Sequence, residues 1–347
     1  MTWSGLADRV ADLARADGFS GQVLLRRGDA LLVEACFGYA ERSHQVPVTA
    51  GTRFGVASFT KMFTACTVAG LVAEGRLAFD TPVREVLPTS NAPAWLRPEV
   101  TVHHLLSHTS GIADYLEEDE LAEREVEIFR PVLRGRPIDG LREVTDFLPL
   151  LERVTAHPAP APLAYSSTGY VLLGLVIEHV TGRPYRSVVT ERLLEPLGVR
   201  LPFPALDEVH PEVAVGYLPP GRPGAPRRTN VYSLPPVGGP DGGAYLTAAE
   251  MVGFLRAYAR DEVVPGMRQR LLTPVAADDD GDAYGYGVWL VGSGDTLRIG
   301  HTGFDPGFEC HGWHWPATDT TLAILANDNF TLQSLYRTLV ELVEQPG

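Results

Sequence analysis

Residues 58–74, SFTKMFTACTVAGLVAE, put apolar or small side chains on nearly every face of a helix. A helix of that kind is stable only when other elements surround it, so this segment is predicted to run through the centre of the molecule. Gly75 follows it as a helix-ending residue. A chain of 347 residues is long enough to supply the surrounding layers. The buried helix carries an oddity: of 29 basic residues, 28 are arginine and one, Lys61, is lysine. Arginine stays protonated at any biological pH, whereas a desolvated lysine can give up its proton and serve as a base. Ser58 lies three residues before Lys61, one helical turn away, so both side chains project toward the same space. A serine hydroxyl is a weak nucleophile without such a base, and a helix start favours the negative charge that develops when it attacks.

The rest of the chain reads as layers for that helix. Leu6, Val10 and Leu13 mark an N-terminal amphipathic helix, and residues 20–38 form two Val/Leu-rich runs around a Gly-Asp turn, a hairpin. From about 76 to 235, helical segments broken by proline follow one another, including HHLLSH at 103–108, Leu141 to Val154 and Tyr170 to Thr181. Residues 200–235 are proline-rich and irregular. Thr247 and Glu250 have capping-box spacing at the start of a helix. Alternating runs at 284–291, 296–300, 307–315 and 320–327 predict four strands in a meander, and Leu332, Leu335, Leu339 and Leu342 predict a closing helix. The expected architecture is α+β: an antiparallel sheet flanked by helices, built from 1–75 and 236–347, with a mostly helical domain from 76–235.

Composition narrows the partners. A net charge of -14 repels phosphate backbones and anionic headgroups, so no nucleic acid and no membrane is expected, and a small molecule or peptide is. The longest apolar stretch, Tyr170 to Ile177, is far short of the roughly 18 residues that span a bilayer. Cys36, Cys66 and Cys310 show no CxxC pairing, which predicts a reducing compartment, and the charged N-terminal helix does not read as a signal peptide; a cytoplasmic location is expected. His104 and His108, with His103 adjacent, have a spacing that can hold zinc, and His311 and His314 lie close together, but no HExxH accompanies them. HHLLSH reads instead as a helix end whose polar groups satisfy nearby backbone. The acidic stretch at 117–127 and Asp278 to Asp280 match no EF-hand loop, and the glycines at 238–243 are followed by no Lys-Ser/Thr. No metal and no cofactor is expected. The absence of G-x-S-x-G disfavours an α/β-hydrolase.

Ser58-Phe-Thr-Lys61 resembles the S-x-x-K motif of the serine β-lactamases and penicillin-binding proteins. In the order that family uses, Tyr165-Ser166-Ser167 resembles its Tyr-x-Asn element and His301-Thr302-Gly303 its Lys-Thr-Gly element in a histidine form. The stretches LLSHTSGI at 105–112 and GGPDGGAYLTAAEM at 238–251 are similar to the class C β-lactamase, D-alanyl-D-alanine carboxypeptidase and family VIII carboxylesterase group. The resemblance covers about residues 5 to 345 and implies the β-lactamase/transpeptidase-like fold.

It also implies an acyl-enzyme mechanism. Ser58 would attack a carbonyl, Lys61 and Tyr165 would shuttle the proton, and the backbone N–H groups of Ser58 and Phe304 would form the oxyanion hole. Ser167, His301, Thr302 and Gly303 would contact substrate, with His301 hydrogen-bonding around Tyr165 or the substrate's carboxylate side. Two departures bear on substrate. Ser167 replaces the family's asparagine, and a hydroxyl cannot offer an amide's donor and acceptor together; His301 replaces a fixed cation. Both favour a small ester over a cell-wall peptide or antibiotic. The sequence therefore predicts a serine hydrolase, a carboxylesterase working through acyl-Ser58. A transacylase or peptide-releasing enzyme with the same residues is the next reading, then a D-alanyl peptidase or β-lactamase, then a non-catalytic ligand-binding or self-assembling member. Phe304, Phe308, Trp313 and Trp315 hint at an apolar acyl pocket, although aromatics on alternating strands are more often simply core.

Overall fold

The computed structural model describes residues 5–116, 132–133, 135–152, 154–220 and 224–345. The acidic stretch at 117–127 lies outside them. Helix α1 (Leu6–Asp17) leads into β1 (Gly21–Arg27) and β2 (Ala30–Phe37), which turn at Gly28-Asp29 as the two Val/Leu runs require. Six further strands follow late in the chain: β3 (Ala276–Ala277), β4 (Ala283–Tyr284), β5 (Trp289–Val291), β6 (Arg298–Asp305), β7 (Phe308–Trp315) and β8 (Thr320–Ala326). Together they form one sheet in the order β2-β1-β8-β7-β6-β5-β4-β3, antiparallel at every pairing. The N-terminal hairpin thus closes directly on the last strand, Gly21 opposite Ala326 and Arg27 opposite Thr320.

Two of the expected strands are drawn differently. Residues 284–291 are not one strand but the ends of β4 and β5, with Tyr284 paired to Trp289. Gly287 makes the turn at φ +71°, and it presses on the buried helix: a β-carbon there would lie 2.6 Å from the Ala65 methyl and 2.9 Å from the Lys61 carbonyl. The strand expected at 296–300 runs on to Asp305, so that His301, Thr302 and Gly303 stand in its middle.

Helix α2 (Thr60–Ala73) is buried nearly all round, as its composition demands, and α3 (Ser167–Thr181) and α4 (Ala248–Ala259) lie with it on one face of the sheet. The Thr247 hydroxyl accepts from the Glu250 N–H at 3.1 Å and the Glu250 carboxylate from the Thr247 N–H at 2.9 Å, completing the capping box of α4. Glu250 also pairs with the buried Arg53. On the other face, α1 and α5 (Gln333–Glu344) cover a second apolar cluster that includes Trp313, Trp315 and all four leucines of the closing helix. Between 76 and 235, α3 is the longest helix among the described residues, and no strand of the main sheet arises there. Apart from a run that passes from α through π to 3-10 geometry over residues 185–197, the other described helices of that stretch are about one turn long. No helix among the described residues is long and apolar enough to cross a membrane.

Candidate active site

Ser58 sits on a single 3-10 turn, Ala57–Phe59, just before α2. Ala57 is held in the left-handed region at φ +44°, an uncommon state for a residue with a β-carbon and one that costs free energy. The surroundings impose it: the Ala57 carbonyl accepts from the Gly243 N–H at 3.3 Å, and the adjoining Val56 N–H donates to the Ala244 carbonyl at 2.7 Å. This turn leaves Ser58 half-buried at the wall of a cavity while its neighbours are sealed.

One turn on, Lys61 is fully buried. Its amine donates to Ser58 Oγ at 2.9 Å, to Ser167 Oγ at 3.3 Å and to the main-chain carbonyl of Asp241 at 2.6 Å. Nζ also lies 4.8 Å from the Tyr165 ring centre and 5.6 Å from that of Tyr170, so aromatic faces complete its shell. Ser167 begins α3, whose cap is the Ser166 hydroxyl accepting from the Gly169 N–H. The serine in the place of the family's asparagine therefore reaches the lysine amine.

Behind Tyr165 stands a stack of rings. His108, itself at φ +57°, packs 4.3 Å from Tyr165, 4.7 Å from Tyr284 and 5.2 Å from Tyr170, and its Nδ1 accepts from the Ser166 N–H at 3.1 Å. That bond holds the backbone beside Tyr165 in place. His301 is buried with Nδ1 2.5 Å from the Thr302 carbonyl and Nε2 3.1 Å from the Tyr284 hydroxyl. A carbonyl only accepts, so Nδ1 carries the proton and Nε2 accepts from Tyr284. Burial, followed by the nearby charge of Lys61, pushes His108 well below the usual imidazole range. Burial brings His301 down to about 3, against the raising effect of its bond to Thr302. Both rings are neutral, so they surround Lys61 without adding charge.

The cavity has a volume of about 570 Å³. Ser58, Tyr165, Ser167, His301, Thr302 and Phe304 all line it. Gly303 serves otherwise: a β-carbon there would lie 2.2 Å from the Val56 carbonyl oxygen, so its bareness brings β6 against the turn that carries Ser58. Phe304, the most exposed aromatic of the group at 61%, forms part of the cavity mouth, and Phe308 part of its floor.

Some expectations need correction. Trp313 and Trp315 line nothing here. Side chains alternate along β7, so Phe308 faces the cavity while the two tryptophans point through the sheet into the α1/α5 cluster. His301 does not hydrogen-bond Tyr165; the rings are 6.3 Å apart between centres, and its nitrogens belong to Tyr284 and Thr302. His103, His104 and His108 serve three partners, the Tyr286 hydroxyl, the Thr101 N–H and the Ser166 N–H. His104 completes the cap of its own short helix, as a helix-end reading requires.

The sequence reading missed Asp241, whose carbonyl receives Lys61, and the ring stack of His108, Tyr170 and Tyr284. A hint of the first was present, an acid in the middle of the glycine run 238–243, in an apolar region.

A serine on a strained turn before a buried helix, a buried lysine within hydrogen-bond reach and strand β6 packed against that turn define a β-lactamase-type serine hydrolase fold. The chain belongs to the Beta-lactamase family, which it matches over residues 7–343. Penicillin-binding protein 4 of Amycolatopsis lactamdurans is 32% identical over 289 residues, 82% of this chain and 69% of that protein. Esterase EstB of Burkholderia gladioli is 33% identical over 204 residues, 56% of this chain but 46% of the esterase. The crystal structure of a penicillin binding protein from Bacillus halodurans superposes with a TM-score of 0.87 at 33% identity, covering 96% of this chain and 99% of that one. The relatives this chain matches include proteins named as penicillin-binding proteins, an esterase and a D-aminopeptidase.

Proposed function

We propose that this chain is a carboxylesterase that cleaves small esters through an acyl-Ser58 intermediate. The observation that carries the reading is the 2.9 Å bond between the buried Lys61 amine and Ser58 Oγ. In its deprotonated form Lys61 accepts the Ser58 proton as Oγ bonds to the ester carbonyl carbon. The oxyanion so formed is held by the N–H groups of Ser58 and Phe304, and Tyr165 passes a proton to the departing alkoxide. Water then attacks the acyl-enzyme by the same route reversed, releasing the acid and restoring the Ser58 hydroxyl. Ser167, His301, Thr302 and Gly303 shape the place where the ester sits.

Two features support an ester. Ser167 directs its short hydroxyl at Lys61, which leaves the position of the family's amide-binding side chain without an amide. Among the described residues, the cavity lining includes Asp241 and Asp305 and no arginine or lysine, a poor setting for an anionic substrate. Leu116, Ile138, Phe147, Leu206 and Val237 give it apolar walls for an acyl chain.

The test is hydrolysis of p-nitrophenyl butyrate by wild type beside Ser58→Ala, at neutral pH with a metal chelator present. Turnover by wild type alone is the expected result; equal turnover by both proteins sinks the acyl-Ser58 route. The relatives named penicillin-binding proteins favour a second reading, in which penicillin acylates Ser58. A stable mass adduct with penicillin, without ester turnover, would move that reading to first place.

A further inference from the structure

The amine of Lys61 is aimed by a main-chain carbonyl, and what aims that carbonyl is visible. Pro240 and Asp241 offer two successive carbonyls to α2: Pro240 accepts from Thr64 Oγ1 at 2.6 Å and Asp241 from Lys61 Nζ at 2.6 Å. The Asp241 side chain is bound in turn: the Tyr115 hydroxyl donates to its Oδ2 at 2.7 Å. Asp241 and Tyr115 are both buried. The segment that carries Tyr115 also grips the start of α3: the Tyr115 N–H donates to Thr168 Oγ1 at 2.9 Å, and Asp114 Oδ2 accepts from the Ser167 N–H at 2.7 Å. One dipeptide, Asp114-Tyr115, therefore holds both of the other residues that accept from the Lys61 amine, Ser167 through its main-chain N–H and Asp241 through its carboxylate.

We propose that Tyr115 is a positioning residue of the active site, locking the Asp241 peptide through the Asp241 carboxylate so that its carbonyl holds Lys61 against Ser58. The proposal rests on the acyl-Ser58 reading. A buried carboxylate needs its hydrogen bonds. Burial already pushes the Asp241 carboxyl above its usual range, with Lys61 and the Tyr115 bond pulling it back. Without the phenol, the carboxylate takes up a proton or swings toward cavity water. Either change rotates the peptide that carries the Lys61 acceptor, and the amine follows its acceptor away from Ser58. The ring itself is held edge-on by Phe147, with centres 5.8 Å apart, so a phenylalanine at 115 keeps that packing and loses the bond to Asp241.

Two readouts test this on the full chain: the rate at which a fluorophosphonate labels Ser58, followed by intact mass, and kcat and KM on p-nitrophenyl butyrate. Tyr115→Phe is expected to slow labelling and lower kcat by about tenfold, with KM moving less than about twofold, because the lock acts on the nucleophile and not on ester binding. Asp241→Ala is expected to lose at least as much. Asp241→Asn, whose carboxamide oxygen accepts the same phenol bond, is expected to recover most of what Asp241→Ala loses. A structural role alone would not give that rescue. Labelling of Tyr115→Phe at the wild-type rate, or a loss confined to KM, overturns the proposal. Wild type that labels at Ser58 but does not turn over ester sinks the esterase reading, and the labelling rates still decide the role of Tyr115. If wild-type Ser58 takes no label, both fall. Should Tyr115→Phe fail to fold by its melting curve, the Asp241→Ala and Asp241→Asn pair decides.

Discussion

Gly303 passes Val56 so closely that a β-carbon at 303 would lie 2.2 Å from the Val56 carbonyl oxygen and 2.8 Å from Cys310 Sγ. The obstructing oxygen is main chain, and the Cys310 thiol donates to it at 3.2 Å, so neither neighbour can give way cheaply. Gly303→Ala must push β6 away from the turn bearing Ser58. Because Phe304 follows directly, its N–H moves with the strand. Loss of one oxyanion donor lowers kcat by about 10². A fall of that size, with a lower melting temperature, is expected for Gly303→Ala; kcat within twofold of wild type would remove Phe304 from the oxyanion hole.

Lys61→Arg keeps a positive charge and loses the ability to give up a proton. Turnover of p-nitrophenyl butyrate is expected to drop by roughly 10²–10⁴, the range that general-base catalysis contributes. The guanidinium must also fit a fully enclosed space, so a melting curve accompanies the rate. Lys61→Arg with a tenth or more of wild-type activity shows that the base lies elsewhere.

Phe304 lends its ring to the cavity lining, while the N–H proposed for the oxyanion hole is main chain. Phe304→Ala removes the ring alone. The expected outcome is a rise in KM that grows with acyl length, about fivefold or more for p-nitrophenyl octanoate and smaller for the acetate. Equal changes for both esters would place the acyl chain away from this wall.

The buried imidazoles set a direction for stability against pH. His314 is brought down to about 4 by burial, and an unfolded imidazole titrates near 6.5. Between those values the unfolded chain binds the extra proton, so stability is present above about pH 6.5 and is lost as pH falls toward 4. His301 and His108 act in the same direction. For His314 alone, moving from pH 7.5 to 5.0 removes about 2 kcal/mol. His314→Gln is expected to shrink the difference between urea-unfolding free energies at those two pH values by about that amount. An unchanged difference would show that His314 is protonated in the folded state.

Local signals were legible in the sequence, and long-range ones were not. The buried helix, the hairpin at Gly28-Asp29 and the Thr247–Glu250 box depend on neighbours a few residues apart, and the spacing of Ser58 and Lys61 puts both on one turn whatever surrounds them. The Lys61 acceptor is a main-chain carbonyl, which no residue type announces. The Tyr115–Asp241 bond joins residues 126 positions apart. Alternation along 307–315 marks two faces of a strand without saying which looks at the site; that follows from the pairing of β7 with β6 and β8 and from the helices on each side. The glycines at 285 and 287 interrupted a period-two pattern that ran straight through them, because a turn and a strand share that spacing.

The sheet is also a partition. Along β7, Phe308 belongs to the cavity side, and Trp313 and Trp315 to the cluster beneath α1 and α5. Changes beneath those two helices can adjust how well the protein survives heat or mutation while the cavity wall stays as it is. Changes at the cavity can redirect substrate choice while the opposite cluster holds the strands in register. Stability and chemistry thus draw on different residues of the same strand, so one can be altered with the other held.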